Sequence, residues 1–176
     1  MNIKEYVRKI CINAKESKKQ IACLNEKTKN QILEDIIEEL DNNRENIISA
    51  NNTDVENLKS SKNFVSSFVD RLLIDDNRID SMIESIKEII LIKDPVGEIK
   101  NLCEMPSGIK VGKMAMPLGV IAMIYESRPN VTVDASALSI KSGNAIILRG
   151  GSESINTNLI LATCIENAFL KIITSS

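Results

Sequence analysis

Two short segments gather residue types suited to an anionic ligand. Arg149-Gly150-Gly151-Ser152 sets a fixed cation beside two glycines where a strand gives way to a helix. Glycine lets backbone amides approach an anion closely, and a helix start adds a dipole of the right sign. A guanidinium can hold a phosphate through two parallel N–H donors, including a ribose 2′-phosphate. The pattern is neither GxGxxG nor a Walker loop, so it reads as a plain turn or as a phosphate cradle. The second segment is Glu126-Ser127-Arg128-Pro129-Asn130. Pro129 suits the first position of a helix capped by Ser127 or Arg128, a purely structural role. Arg128 also adds a second cation, and two arginines on one crevice suit a ligand with several negative groups.

Other chemistry is narrowed by what the chain holds. Its 176 residues contain no histidine, so by itself it has no Ser-His-Asp or Cys-His mechanism and no His-ligated metal. The four cysteines, Cys11, Cys23, Cys103 and Cys164, form no CxxC pair and suit neither a zinc knuckle nor a disulfide framework. Cys11 falls on an apolar helical stripe and is expected in the core. No cation or helix start is placed to activate any of the four, so all are expected to be structural. A net charge of −2, from 22 basic and 24 acidic side chains, argues against a nucleic-acid partner. The longest apolar run, Met114–Tyr125, contains Pro117 and Gly119 and is too short to span a bilayer. With no signal peptide at the start, a cytoplasmic protein is expected.

The elements that position these segments change near Asp94-Pro95. Before it, apolar residues recur at helical spacing: Ile3, Val7, Ile10 and Ala14; Ile32, Leu33, Ile36, Ile37 and Leu40; Ile47, Ile48, Val55 and Leu58. A fourth stripe, Ile79 to Ile90, follows Asp75-Asp76, either of which can cap it. After it, 99–103 and 109–116 predict a hairpin turning on Pro106-Ser107-Gly108. The unbroken apolar run 119–125 predicts a strand covered on both faces. A helix over 131–142 stopped by Gly143, a buried strand over 145–148 and a closing helix over 155–173 complete the order. Strand, helix, strand implies a parallel, right-handed pair whose carboxyl ends carry both segments of interest.

The residues then match a known pattern. Pro117-Leu118-Gly119-Val120-Ile121-Ala122-Met123-Ile124-Tyr125-Glu126-Ser127-Arg128-Pro129-Asn130-Val131-Thr132-Val133-Asp134-Ala135 strongly resembles the gamma-glutamyl phosphate reductases of the aldehyde dehydrogenase superfamily. The likeness continues through Lys141–Glu153 and runs back through Asp94–Glu98 and Asp70–Leu73. It implies NADPH-dependent reduction of L-glutamyl 5-phosphate to L-glutamate 5-semialdehyde in proline biosynthesis, through attack by a cysteine thiolate. It further implies that Arg149 takes the place of a lysine contacting the adenine ribose, with Gly150 and Gly151 as a variant of its loop. Ile124, Tyr125 and Ser127 would line the cofactor, and Arg128 or Asn130 would serve substrate or oxyanion.

The resemblance also implies an architecture: an α/β protein with N-terminal helices (1–93) and a partial Rossmann-like parallel sheet (94–176). Family chains run past twice this length, and no cysteine here matches the family's nucleophile. A truncated N-terminal part lacking the catalytic domain is therefore expected, inactive alone, as a homo-oligomer or paired with the missing C-terminal part. The alternative is a non-catalytic NADP-binding module or an inactive remnant.

Overall fold

The computed structural model describes residues 2–60 and 66–174. Ser175 and Ser176, the last two residues of the expected 94–176 part, lie outside the described residues. Five helices come first: α1 (Ile3–Ala22), α2 (Glu26–Asn42), α3 (Arg44–Lys59), α4 (Ser66–Leu72) and α5 (Asp76–Leu91). Side chains start three of them, because an Asx oxygen satisfies an amide left orphaned by the first turn. Asn2 caps α1, Asn25 accepts from the Thr28 amide at 2.9 Å, and Asp75 accepts from the Arg78 amide at 2.8 Å.

Next comes an antiparallel hairpin of β1 (Ile99–Glu104) and β2 (Lys110–Met114). Its turn follows from the sequence: Pro106 fixes the first turn residue, and Gly108 takes a left-handed φ of +81° that lets Met105 and Ile109 pair. The positive φ of Asn101 sits at an irregularity in the register of β1. The hairpin is a separate two-stranded sheet with every residue exposed.

The parallel pair follows: β3 (Val120–Ile124), α6 (Asn130–Lys141) and β4 (Ala145–Arg149), with Val120 opposite Ala145 and Ile124 opposite Arg149. Gly143, at φ +71°, ends α6 in a Schellman motif: its amide bonds the Ile140 carbonyl and the Asn144 amide bonds that of Ser139. A 3-10 turn (Ser152–Ser154) leads into α7 (Ile155–Thr174).

One buried cluster joins both sides of Asp94-Pro95. Ile32, Leu33, Ile36 and Leu40 of α2, Ile79 and Ile86 of α5, Val133 and Ala137 of α6, and Leu161, Cys164 and Ala168 of α7 all belong to it. Two buried lysines tie the same halves. Lys29 pairs with Asp94 at 2.7 Å, and Lys141 donates to Asn30 at 2.7 Å and to the Ile90 carbonyl at 2.9 Å.

Two expectations are corrected. The α1 stripe is not core: no residue of α1 is buried, Ile3 is 80% exposed, and Cys11 is exposed with it. The helix rests along β4 and β3, and of its apolar stripe Ile10 and Ala14 are half-buried while Ile3 and Val7 are exposed. Likewise β3 is mainly exposed rather than covered on both faces: Ile121 is half-buried and its other four residues are exposed. Its apolar run is the composition of a buried strand without the cover.

Candidate functional site

The carboxyl ends of β3 and β4 meet, as a parallel pair joined by a helix requires. The Tyr125 amide donates to the Arg149 carbonyl at 3.0 Å, carrying the pairing one residue beyond β3. Two residues further, the Ser127 hydroxyl donates to the Glu153 carboxylate at 3.0 Å, so the two turns touch. Between them and the adjoining ends of α3 and α4 opens a cavity of about 760 Å³. Ile124, Tyr125, Ser127, Arg149 and Gly151 line it, together with Asp54 and Glu153. Gly150 lies behind this wall, not on it.

A chain of hydrogen bonds fixes the glycine turn. Tyr125 donates to Thr132 Oγ1 at 2.6 Å, since the Thr132 hydroxyl proton is committed to Asn158 Oδ1 at 2.9 Å. The Asn158 amide donates to Ser154 Oγ at 2.9 Å, and Ser154 donates to the Gly151 carbonyl at 3.2 Å. Both glycines are sterically required. A Cβ on Gly150 would run into Asn158 Nδ2 and the Tyr125 ring, and one on Gly151 would lie 2.7 Å from both Ser127 Oγ and Glu153 Oε2. Backbone and side chains therefore close tightly around the Arg149 turn, leaving its guanidinium exposed at the cavity.

The electrostatics mix signs. Glu153's own backbone amide and the Ser127 hydroxyl hold its carboxyl below the usual range, against its partial burial; Ser152 and the Arg149 cation add to the effect. Glu153 is thus a carboxylate at neutral pH, on the same turn as the cation.

Asp54 anchors the turn from beneath. Its carboxylate accepts from Thr157 Oγ1 (2.6 Å), the Thr157 amide (2.8 Å), Asn156 Nδ2 (2.7 Å) and the Asn156 amide (3.2 Å). It is the cap of α7, supplied by α3. Asn51, one turn earlier, donates to the Leu72 carbonyl and Thr157 Oγ1 and accepts from the Ile74 amide at 2.7 Å. Sequence reasoning missed Asn51, Asp54 and Glu153. The signal for Asp54 was available as an acidic residue inside an apolar stripe, between Ile47 and Leu58.

The two arginines do not converge. Arg128 is exposed and lines no part of this cavity, and the Pro129 that follows it caps α6 one position earlier than its expected place at the first helical residue. Asn130 begins α6 and bonds Asp134 at 3.2 Å on the wall of a different cavity. The cysteines lie elsewhere. Cys11, Cys23 and Cys103 are exposed, and burial, seconded by Glu39, pushes the Cys164 thiol up to about 11. Among the described residues no group of three His, Cys, Asp or Glu gathers as a metal site, and no helix is long and apolar enough to cross a membrane.

No protein-family model matches the chain. Curated relatives do. The chain is 48% identical over 165 residues to gamma-glutamyl phosphate reductase of Ruthia magnifica, covering 94% of this chain and 39% of the relative. For the same enzyme of Clostridium novyi the figures are 44% over 171 residues, 97% and 41%. Crystal structures of gamma-glutamyl phosphate reductases superpose well. That from Thermotoga maritima has a TM-score of 0.86 at 39% identity, over 90% of this chain and 38% of that one. That from Saccharomyces cerevisiae has 0.89 at 32%, over 94% and 42%. An NAD-dependent benzaldehyde dehydrogenase of Corynebacterium glutamicum, at 20% identity and TM-score 0.68, shares the fold alone. The architecture is therefore of the aldehyde dehydrogenase type, and the chain spans about two fifths of the length of the relatives it matches, at their N-terminal side.

Proposed function

From a chain homologous over its own length to the N-terminal part of gamma-glutamyl phosphate reductases, we propose a cofactor-binding portion of such an enzyme. The whole enzyme's reaction would be the reduction of L-glutamyl 5-phosphate by NADPH to L-glutamate 5-semialdehyde with release of phosphate, in the cytoplasm, as a step of proline biosynthesis. One observation carries the reading: the cavity at the joined carboxyl ends of β3 and β4 is walled by Ile124, Tyr125, Ser127, Arg149 and Gly151. Such an edge is where open parallel sheets take nucleotides.

The residues present fit a nicotinamide dinucleotide. Gly150 and Gly151 close a turn that side chains would break, and Arg149 offers an exposed guanidinium fork at the cavity for a ribose phosphate. The group, when bound, supplies hydride. This chain's own part is to hold it: Arg149 at the phosphate, and the backbone of 124–127 along its length. Glu153 competes for the same cation, so preference for the 2′-phosphate depends on Arg149 keeping a free edge.

None of the four cysteines lines the cavity, so the thiolate that attacks the acyl phosphate comes from sequence beyond this chain. The chain alone turns over no glutamyl phosphate, and pairing with a C-terminal part, within one polypeptide or between copies, completes the enzyme. Arg128 and Asn130 remain candidates for the substrate side, away from the dinucleotide.

Titration of NADPH fluorescence with and without Arg149→Glu tests the reading. Binding that weakens at least tenfold in the variant, and more for NADPH than for NADH, is expected. Unchanged affinity removes the phosphate contact, and NADPH oxidation by the purified chain on glutamyl phosphate overturns the division of labour. A chain that binds no dinucleotide at all leaves the inactive remnant as the better description.

A further inference from the structure

Thr132, near the start of α6, is 2% exposed and lines neither cavity, yet its hydroxyl ties together the two side chains that bound the glycine turn. Tyr125 Oη donates to Thr132 Oγ1 at 2.6 Å, and Thr132 Oγ1 donates to Asn158 Oδ1 at 2.9 Å. These are the same two side chains that a Cβ on Gly150 would meet, Asn158 Nδ2 first and then the Tyr125 ring and hydroxyl at 3.1 Å. Gly150 is thus seated against a pair that one hydroxyl holds in place. The hydroxyl is itself fixed by α6. The Thr132 amide donates to the Pro129 carbonyl at 3.0 Å, and the Thr132 carbonyl accepts from the Ser136 hydroxyl at 2.7 Å.

The seated turn presents donors. Among the described residues the Gly150 and Gly151 amides find no acceptor, whereas those of Asn156 and Thr157 at the start of α7 are taken up by Asp54. Gly151 lines the large cavity. Successive amides without an acceptor suit an anionic oxygen, and the direction they point depends on the backbone that carries them. Arg149 is held differently, by its place in β4 opposite Ile124 and by the Tyr125 amide on its carbonyl.

We propose that Thr132 is a positioning residue for the dinucleotide: through Tyr125 and Asn158 its hydroxyl aims the Gly150 and Gly151 amides at the phosphates common to NADPH and NADH. This rests on the cofactor reading above and divides the turn into two tasks. Arg149 meets the 2′-phosphate, and the glycine amides hold what the two dinucleotides share.

Thr132→Val keeps the shape of the side chain and removes the hydroxyl, leaving Tyr125 and Asn158 untied. Fluorescence titration should show NADPH and NADH weakened by the same factor, about tenfold, in contrast to the NADPH-selective loss expected of Arg149→Glu. Thr132→Ser restores the hydroxyl and should recover both affinities. Tyr125→Phe keeps the ring and breaks the same tie from its other end, so the double variant with Thr132→Val should be little weaker than either single one. It also carries the comparison should Thr132→Val not fold. Amide-resolved NMR of the chain without ligand reads the turn directly, and the Gly150 and Gly151 resonances should move in Thr132→Val and return in Thr132→Ser. Unchanged affinity in Thr132→Val, a loss that Thr132→Ser does not restore, or a loss confined to NADPH overturns the proposal. A parent chain that binds neither dinucleotide overturns the cofactor reading instead. The glycine resonances then judge the tie alone, which stands if they move and return and falls if they do not.

Discussion

Removing the Asp54 carboxylate should cost this fold a large share of its stability. Its four acceptor contacts fall into two sets. Those to Thr157, at 2.6 and 2.8 Å, are buried, and those to Asn156, at 2.7 and 3.2 Å, are part-buried. A hydrogen bond to a charged acceptor contributes roughly 1.5–3 kcal/mol net, and a helix cap about 1 kcal/mol. The Thr157 pair is counted in full and overlaps with the cap. The Asn156 pair is discounted, because these two bonds are only part-buried and water can replace them. Asp54→Ala should therefore lose about 3–6 kcal/mol, a large part of the 5–15 kcal/mol typical of a domain. Asp54→Asn keeps the shape but turns an amide donor toward donors, and should fall between. Urea unfolding followed by far-UV circular dichroism measures both, with the slope on denaturant unchanged. A loss below about 1 kcal/mol for Asp54→Ala would refute the assignment of α7's cap to α3.

Gly151→Ala places a Cβ 2.7 Å from Ser127 Oγ and Glu153 Oε2, so it should weaken NADPH binding about tenfold, read by fluorescence titration, and lower the melting temperature. Asp134 has a folded pKa raised by burial, so the folded chain holds its proton more tightly and stability falls as pH rises from the unfolded carboxyl value of about 4 toward the raised one. Asp134→Asn should thus melt higher than the parent at pH 7, the gain vanishing below about pH 4 in thermal scans. A thiol reagent should modify Cys11, Cys23 and Cys103 quickly, and Cys164 only on unfolding, which mass spectrometry of the labelled peptides resolves.

Much of the architecture was legible because local rules and global packing agree. Ile79, Met82, Ile83, Ile86 and Ile89 sit at helical spacing behind an Asp cap, and all are buried in α5. Pro106-Ser107-Gly108 could form little but the observed turn, and Gly143 sits where a left-handed residue ends α6. The meeting of residues 124–127 with 149–153 followed from topology alone. What could not be read was anything set by partners distant in sequence. The stripes of α1 and β3 look like core because pattern reports what a surface suits, not whether this chain covers it. Arg128 was expected beside Arg149 in one crevice, yet it lines no part of that cavity. The roles of Asn51 and Asp54 depend on Thr157, more than 100 residues away, and leave no mark in local spacing.

That separation has a consequence for how the chain is made. Asn51 meets Thr157 across 106 residues, and the apolar face of α2 is closed by Leu161 and Ala168 of α7. At a synthesis rate of roughly 5–20 residues per second, α2 and α3 leave the ribosome about 5–20 s before the helix that covers them. During that interval Ile32, Leu33, Ile36 and Ile47 lack their final neighbours on α7, and the Arg149 turn does not yet exist. The nascent first half is thus a ready client for chaperones, and a mutation that delays α7 docking should reduce soluble yield well before it alters the affinity of the finished fold.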